Sequence, residues 1–218
     1  MNSRRYDDAC ATAHALDLIG ERWSMLILRE LMMGPRRFSD LRASLEGLSA
    51  NVLTQKLEAL EAARILRRDK LPPPANARVY ALTAWGLEAE PILLALGRWG
   101  TRSPGHDPTL PFSPVALMLS FRAKFDPAAA KGLDVNLAFT LNDEPFTVAV
   151  KTSRLRTERG HPAVPTARIT ATPSAIAGLV YGKVPMAVLE GQGALSIWGD
   201  GKGLGKFAGL YRMPPKAI

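Results

Sequence analysis

The chain of 218 residues is short of several things, and each shortage removes a class of function. It has one cysteine, Cys10, so no disulfide can form within it and a reducing compartment is expected. It has three histidines, His14, His106 and His161, scattered and without a second cysteine. That leaves no expected transition-metal site. Its longest apolar runs, "MLIL" and "ILLAL", are far too short to span a bilayer. The start "MNSRRYDDAC" is broken by Asp7 and Asp8 and leads into no long apolar stretch, so no signal peptide is read and the expected location is cytoplasmic, without membrane insertion. There is no G-x-G-x-x-G. "GDGKGLGKF" fails as a phosphate loop because Asp200 stands where the first glycine belongs and Phe207 follows Lys206 where Ser or Thr is needed. No nucleophile–base–acid set is visible, so neither catalytic residues, an enzyme activity nor a cofactor are expected.

What is present is a foldable, basic chain, 47% apolar and 22% charged, with a formal net charge of +8. The charge is not concentrated in one half. Residues 1–102 hold 15 Lys/Arg against 12 Asp/Glu, and residues 103–218 hold 13 against 8. Placement is more telling: within residues 34–80 there are 9 bases against 5 acids, bunched near "PRR" and "RRDK".

The first hundred residues alternate helical patterns with short breaks. "CATAHALDLIG" and "RWSMLILRELMMG" read as helices, the second apolar nearly all round and therefore buried. "RRFSDLRASLEG" follows with Phe38, Leu41 and Leu45 at helical spacing. After a tight turn containing Gly47, Ser49 is a good N-cap for "ANVLTQKLEALEA", whose Leu53, Leu57 and Leu60 want a core. Helix, tight turn and helix is the helix-turn-helix arrangement. "ILRRDKL" and "ARVYALT" read as strands of a hairpin around the stiff turn "PPPAN". "TAWGLEAEPILLALGRWG" is read as one helix with a seam of Trp85, Ala89, Ile92, Leu96 and Trp99 that suits either its own domain or a partner helix.

Residues 103–113 are rich in Pro and Gly and are read as a linker between a domain at 1–102 and another at 114–218. Ser113 and Pro114 open a helix. Five strands then follow: "VNLAFTL", "FTVAV", "RLRTER", "ARITA" and "ALSIW", each with one apolar face, and two helices interleave at "TPSAIAGLVYG" and near "GLGKFAGLY". The fold class expected is α+β, a winged helix-turn-helix followed by a five-stranded, mostly antiparallel sheet covered by helices.

In a winged helix-turn-helix the second helix enters the major groove with its N-terminal residues at base edges. The outward residues there are Ser49, Asn51, Thr54 and Gln55. Asn and Gln can bond adenine bidentately, and Thr offers a methyl or hydroxyl group. Lys56 on the flank, with Arg36, Arg37 and Ser39 before and at the start of the preceding helix, suits phosphate. Arg67, Arg68, Lys70 and Arg78 flank the hairpin and suit phosphate or the minor groove. Taken singly, each is equally readable as solvated surface.

The motifs "LDLIG.RW", "LILREL", "GPRRFSDL", "VLTQKL..LE" and "Y.LT.WG" closely resemble the HxlR family of bacterial transcriptional regulators, winged helix-turn-helix proteins related to the MarR group. The resemblance covers roughly residues 8–100. It implies double-stranded DNA as a partner, residues 49–56 as the DNA reader, the hairpin as the wing, and a homodimer formed through the N-terminal helix, with Leu16, and the helix carrying Trp85 to Trp99. Several members carry an N-terminal sensing cysteine where Cys10 stands, although Ala11 replaces the proline often found next to it. Asp7 and Asp8 are expected to raise the thiol pKa and oppose that role. Residues from about 110 to 212, above all "ARITATPSAIAGLVYGKVPMAVLEGQGALSIWGDGKGLGKFAGLY", resemble a sterol carrier protein type-2-like domain. That implies an apolar tunnel for a hydrophobic small molecule or lipid, with Leu137, Phe139, Phe146, Val148, Ile169, Ile176, Val180, Met186, Leu195, Ile197 and Phe207 as candidate lining. The same residues also suit an ordinary core. Three readings stand: a ligand-responsive DNA-binding regulator, a lipid- or acyl-binding protein that dimerises through its winged helix, and a redox-sensing repressor acting through Cys10.

Overall fold

The computed structural model describes residues 6–218. The chain divides into two compact units at Leu93–Leu94.

The first unit begins with α1 (Ala11–Ile19), α2 (Ser24–Leu31), α3 (Phe38–Ser44) and α4 (Ala50–Ala62). The leucines of α4 are all buried, as their spacing requires, and pack with Ile27, Leu28, Leu31 and Leu41. Ser49 caps α4: its Oγ accepts from the Val52 N–H at 3.3 Å. Gly47, at φ +82, supplies the left-handed residue that closes the turn between α3 and α4. β1 (Leu66–Lys70) and β2 (Arg78–Leu82) pair antiparallel, Arg68 opposite Tyr80 and Lys70 opposite Arg78.

α5 (Ala84–Leu87) is stitched beneath this hairpin. Thr83 Oγ1 accepts from Gly86 N–H at 3.0 Å and donates to the Arg64 carbonyl at 2.8 Å. Gly86 must be glycine, because a Cβ there would stand 2.1 Å from the Ile65 carbonyl oxygen. The expected single helix from Thr83 to Gly100 is in fact two, α5 and α6 (Glu90–Thr101). Pro91 has no N–H to return to the Leu87 carbonyl, so the first helix stops, and Pro91 stands in the first turn of a second one. The proposed seam is corrected accordingly: Ile92, Leu96 and Trp99 share a face of α6, while Trp85 and Ala89 do not belong to that helix.

The second unit starts within α6, at Leu94, and continues with α7 (Pro114–Lys124), capped by Ser113 Oγ on Ala116 N–H at 3.0 Å with Pro114 at the first helical position. β3 (Val135–Leu141), β4 (Glu144–Lys151), β5 (Arg154–Arg159), β6 (Ala167–Ala171) and, after α8 (Pro173–Val180) and α9 (Met186–Gly191), β7 (Leu195–Gly199) form one sheet in the order β5-β4-β3-β6-β7. α10 (Gly201–Ala208) follows, capped by Asp200. The sheet is mixed: β6 runs parallel to β3, with Phe139 beside Ile169, and the other pairings are antiparallel. Alternation of apolar residues fixes which face of a strand is buried but carries no information about its direction. The chain returns from the β5 edge to the middle of the sheet through residues 160–166, held by Thr166 N–H on the Asn136 carbonyl at 2.7 Å and Asn136 Nδ2 on the Val164 carbonyl at 3.0 Å. Helix α9 was not visible in the sequence. The stretch read as a linker belongs to this unit, and the chain end returns to its start: Ala217 N–H donates to the Arg102 carbonyl at 2.7 Å and Lys216 Nζ to that of Ser103 at 2.9 Å.

Candidate nucleic-acid interface

The outward side of α4 is divided along its length. Asn51, Thr54 and Gln55 are exposed in the first two turns, above the buried leucines. Thr54 Oγ1 donates back to the Ala50 carbonyl at 3.0 Å. Its hydroxyl proton is thereby engaged, so the group it offers outward is its methyl and an oxygen lone pair. Ser49 accepts as the cap, which leaves its own O–H as a donor. Further along, Glu58 is exposed and Glu61 pairs with Arg68 at 2.9 Å, so the second half of the helix carries acid.

The basic residues fall into two groups. Arg36 is only 7% exposed; its guanidinium lies 3.7 Å from the fully buried Glu30 carboxylate, and its backbone bridges that of Tyr80 in both directions, at 2.9 and 2.8 Å. Although the sequence placed Arg36 among outward phosphate ligands, its position ties α2 to the hairpin. Lys56 is half-buried and ion-paired with Glu21, which ties α4 to the turn before α2. Arg67 pairs with Asp69 at 3.0 Å, and Arg68, besides its bond to Glu61, lies over the Tyr80 ring at 5.6 Å. Asp69 is two residues from Arg67 on the same face of β1, whereas Glu30, Glu21, Glu61 and Tyr80 lie on other segments than the bases they meet, and local periodicity does not announce those. Arg37, Lys70 and Arg78 form the second group and are exposed. Ser39 is exposed too, with its hydroxyl on Asp40 at 3.2 Å.

The register puts Lys70 directly opposite Arg78 near the hairpin tip. Like charges directly opposite on an antiparallel pair repel, and an anion between them relieves that repulsion. The arrangement suits a phosphate.

Cys10 is exposed and stands at the N-cap of α1. The expectation that Asp7 and Asp8 raise its pKa is corrected. The backbone N–H groups of Ala13 and Thr12 hold the thiol pKa below its ordinary value, and Asp8 is occupied as acceptor of the Cys10 N–H at 2.9 Å. The apolar residues implied at a dimer contact are open: Leu16, Trp85, Ile92 and Leu96 are about half exposed and Trp99 is 77% exposed. Ala89 is half-buried.

In the second unit Leu137, Phe139, Phe146, Val148, Ile169, Ile176, Val180, Leu195 and Phe207 are buried between sheet and helices, and Met186 and Ile197 are half-buried. Among the described residues no group of His, Cys, Asp and Glu is arranged to hold a metal, and no helix is long and apolar enough to cross a membrane.

Residues 18–107 match the HxlR-like helix-turn-helix family. An HTH-type transcriptional regulator of Synechocystis is 40% identical over 92 residues, spanning 42% of this chain and 68% of that protein. The HTH-type transcriptional regulator YvaP of Bacillus subtilis is 37% identical over 87 residues, 40% of this chain and 81% of that protein. The solved reduced form of the transcriptional regulator YodB from Bacillus subtilis shares 28% identity, covering 46% of this chain and all of that one, with a TM-score of 0.40. These relatives match the segment that carries the helix-turn-helix and its wing, and the chain belongs to the HxlR-like helix-turn-helix family.

Proposed function

We propose that this protein is a DNA-binding transcriptional regulator that acts as a homodimer on a palindromic operator, its second unit taking a hydrophobic small molecule or lipid as effector. The observation that carries the reading is the first half of α4: Asn51, Thr54 and Gln55 exposed over a fixed leucine seam, beside a hairpin whose tip sets Lys70 against Arg78. The first set is chemically suited to base edges and the second to phosphate. Arg37, Ser39 and Ser49 complete the surface on the α3 side, while Arg36, Lys56 and Arg68 hold the elements in register. The exposed apolar face of α6, together with Leu16 on α1, supports the homodimer. The effector reading rests on the sequence resemblance of residues 110–212 to sterol carrier protein type-2-like domains and on the continuous apolar interior of the sheet and helices. A ligand regulates only by preferring one spacing of the two recognition helices over another.

Gel-shift titration against the DNA upstream of the gene tests this. Arg78→Ala weakens binding across all sequences, and Gln55→Ala relaxes base preference at one position per half-site. Unchanged affinity and preference in both variants would refute it. A second reading, redox control through Cys10, is favoured by the exposed thiol with a lowered pKa at a helix N-terminus. Non-reducing electrophoresis after peroxide treatment decides it: a cross-linked dimer with altered DNA affinity supports it, and neither change removes it.

A further inference from the structure

The interior of the second unit is apolar, with one polar exception. Phe121 of α7, Phe207 of α10 and Tyr181 after α8 surround Tyr211, their ring centroids 5.3, 5.2 and 6.0 Å from its own. Tyr211 is 1% exposed and its hydroxyl has no hydrogen-bond partner. A buried hydroxyl left without a partner costs on the order of 1–3 kcal/mol, so native folds rarely keep one without a use.

The neighbouring hydroxyls cannot relieve it. Ser120 has one proton and donates it to the Leu117 carbonyl at 2.8 Å. The Tyr181 hydroxyl, 2.7 Å from Ser120 Oγ, is therefore the donor of that pair. Tyr211 is left with an O–H that faces no acceptor, and burial pushes its phenol pKa far up, so it stays protonated. A cation stands at the same cluster. Lys124, the last residue of α7, holds its ammonium 5.0 Å from the Tyr181 ring centroid, and the next residue, Phe125, bridges backbone to backbone with Tyr211. Burial lowers the Lys124 pKa, and it makes no ion pair with a described residue. A partly desolvated cation and the ring that carries the unmet donor thus flank the same Tyr181 ring.

We propose that this cluster is the head-group end of the effector site and takes the carboxylate of an apolar acid, Tyr211 Oη donating to one oxygen and Lys124 supplying the counter-charge while the apolar tail lies along Phe121 and Phe207. The proposal rests on the effector reading above and narrows it from hydrophobic ligands in general to apolar acids.

Calorimetric titration of the intact protein with decanoate, 2-naphthoate and decanol tests it. At least one of the two acids binds, and decanol binds at least about tenfold more weakly than decanoate where the aliphatic acid is the one taken. Tyr211→Phe weakens the acid about tenfold, while its melting temperature holds or rises because a stranded hydroxyl has been removed. Lys124→Met abolishes the preference for acid over alcohol. If acids bind but both variants leave that binding unchanged, or if decanol alone binds, the head-group assignment is wrong and the effector reading survives. If none of the three probes binds the wild type, both fall. A lower melting temperature with unchanged binding in Tyr211→Phe makes the hydroxyl structural and overturns the proposal.

Discussion

The facing pair at the wing tip allows a prediction with a worked magnitude. Lys70 and Arg78 are direct cross-strand partners, exposed and of like charge. In the free protein their repulsion is a cost of a few tenths of a kcal/mol, so removing one of them leaves stability unchanged or slightly raised. On DNA each replaces a condensed counterion. One phosphate contact contributes about 0.9 to the slope of log affinity against log salt, and a dimer with two wings loses two contacts per substitution, so Arg78→Ala reduces the slope by about 1.8. A fourfold change in salt then alters the affinity gap between wild type and variant by roughly tenfold. Fluorescence anisotropy titrations of an operator duplex between about 50 and 200 mM salt measure this directly. Arg154→Ala, on β5 of the second unit, serves as a charge-matched control with no expected change. An unchanged slope in Arg78→Ala, or an equal fall in Arg154→Ala, refutes the assignment of the hairpin as a phosphate-binding wing.

The remaining predictions concern other links of the account. Glu30→Ala removes a buried carboxylate that lies 2.9 Å from Arg29 and 3.7 Å from the nearly buried Arg36 and costs about 3–5 kcal/mol in chemical denaturation, whereas Arg37→Ala, which alters an exposed group, changes stability by less than about 0.5 kcal/mol. Ile92→Asp or Leu96→Asp puts a carboxylate on the open apolar face of α6; the proposed homodimer predicts a dimer for the wild type and a monomer for either variant in sedimentation velocity, and a wild-type monomer would refute it. The Cys10 thiol reacts with a soluble alkylating reagent at a rate that rises with pH as the thiolate forms, with its midpoint below the ordinary thiol pKa of 9.0, because its pKa is lowered. A midpoint at or above that value contradicts the role given to the Ala13 and Thr12 N–H groups.

Local signals were legible where the chemistry is local. The leucine spacing of α4, the caps Ser49 and Ser113, and the alternation of apolar residues along β3 each follow from neighbours within a few residues, and each appears where the sequence puts it. Pro91 is visible in the sequence too, but apolar spacing runs across it as if through one helix, and the missing N–H is what divides α5 from α6. What escaped was set by distant partners. Nothing within α2 reveals that Glu30 is buried to hold Arg36, nor within α4 that Lys56 leans to Glu21. The direction of β6 depends on the path of residues 160–166 across the sheet, which strand alternation does not encode. At Cys10 the acids adjacent in sequence matter less than the helix start behind the thiol, whose N–H groups lower its pKa. Hence the proposed recognition surface is legible as a list of polar residues, but its division into exposed groups and groups paired within the fold requires the three-dimensional pairings.

The central claim is that the first two turns of α4 read base edges. Selection of bound duplexes from a randomised pool, with sequencing of what is retained, tests it most directly. The account predicts that the wild type enriches a palindrome and that Asn51→Ala and Gln55→Ala each lose discrimination at a distinct position of the half-site while retaining the rest. No enrichment by the wild type, or an enriched sequence identical in both variants, would contradict it.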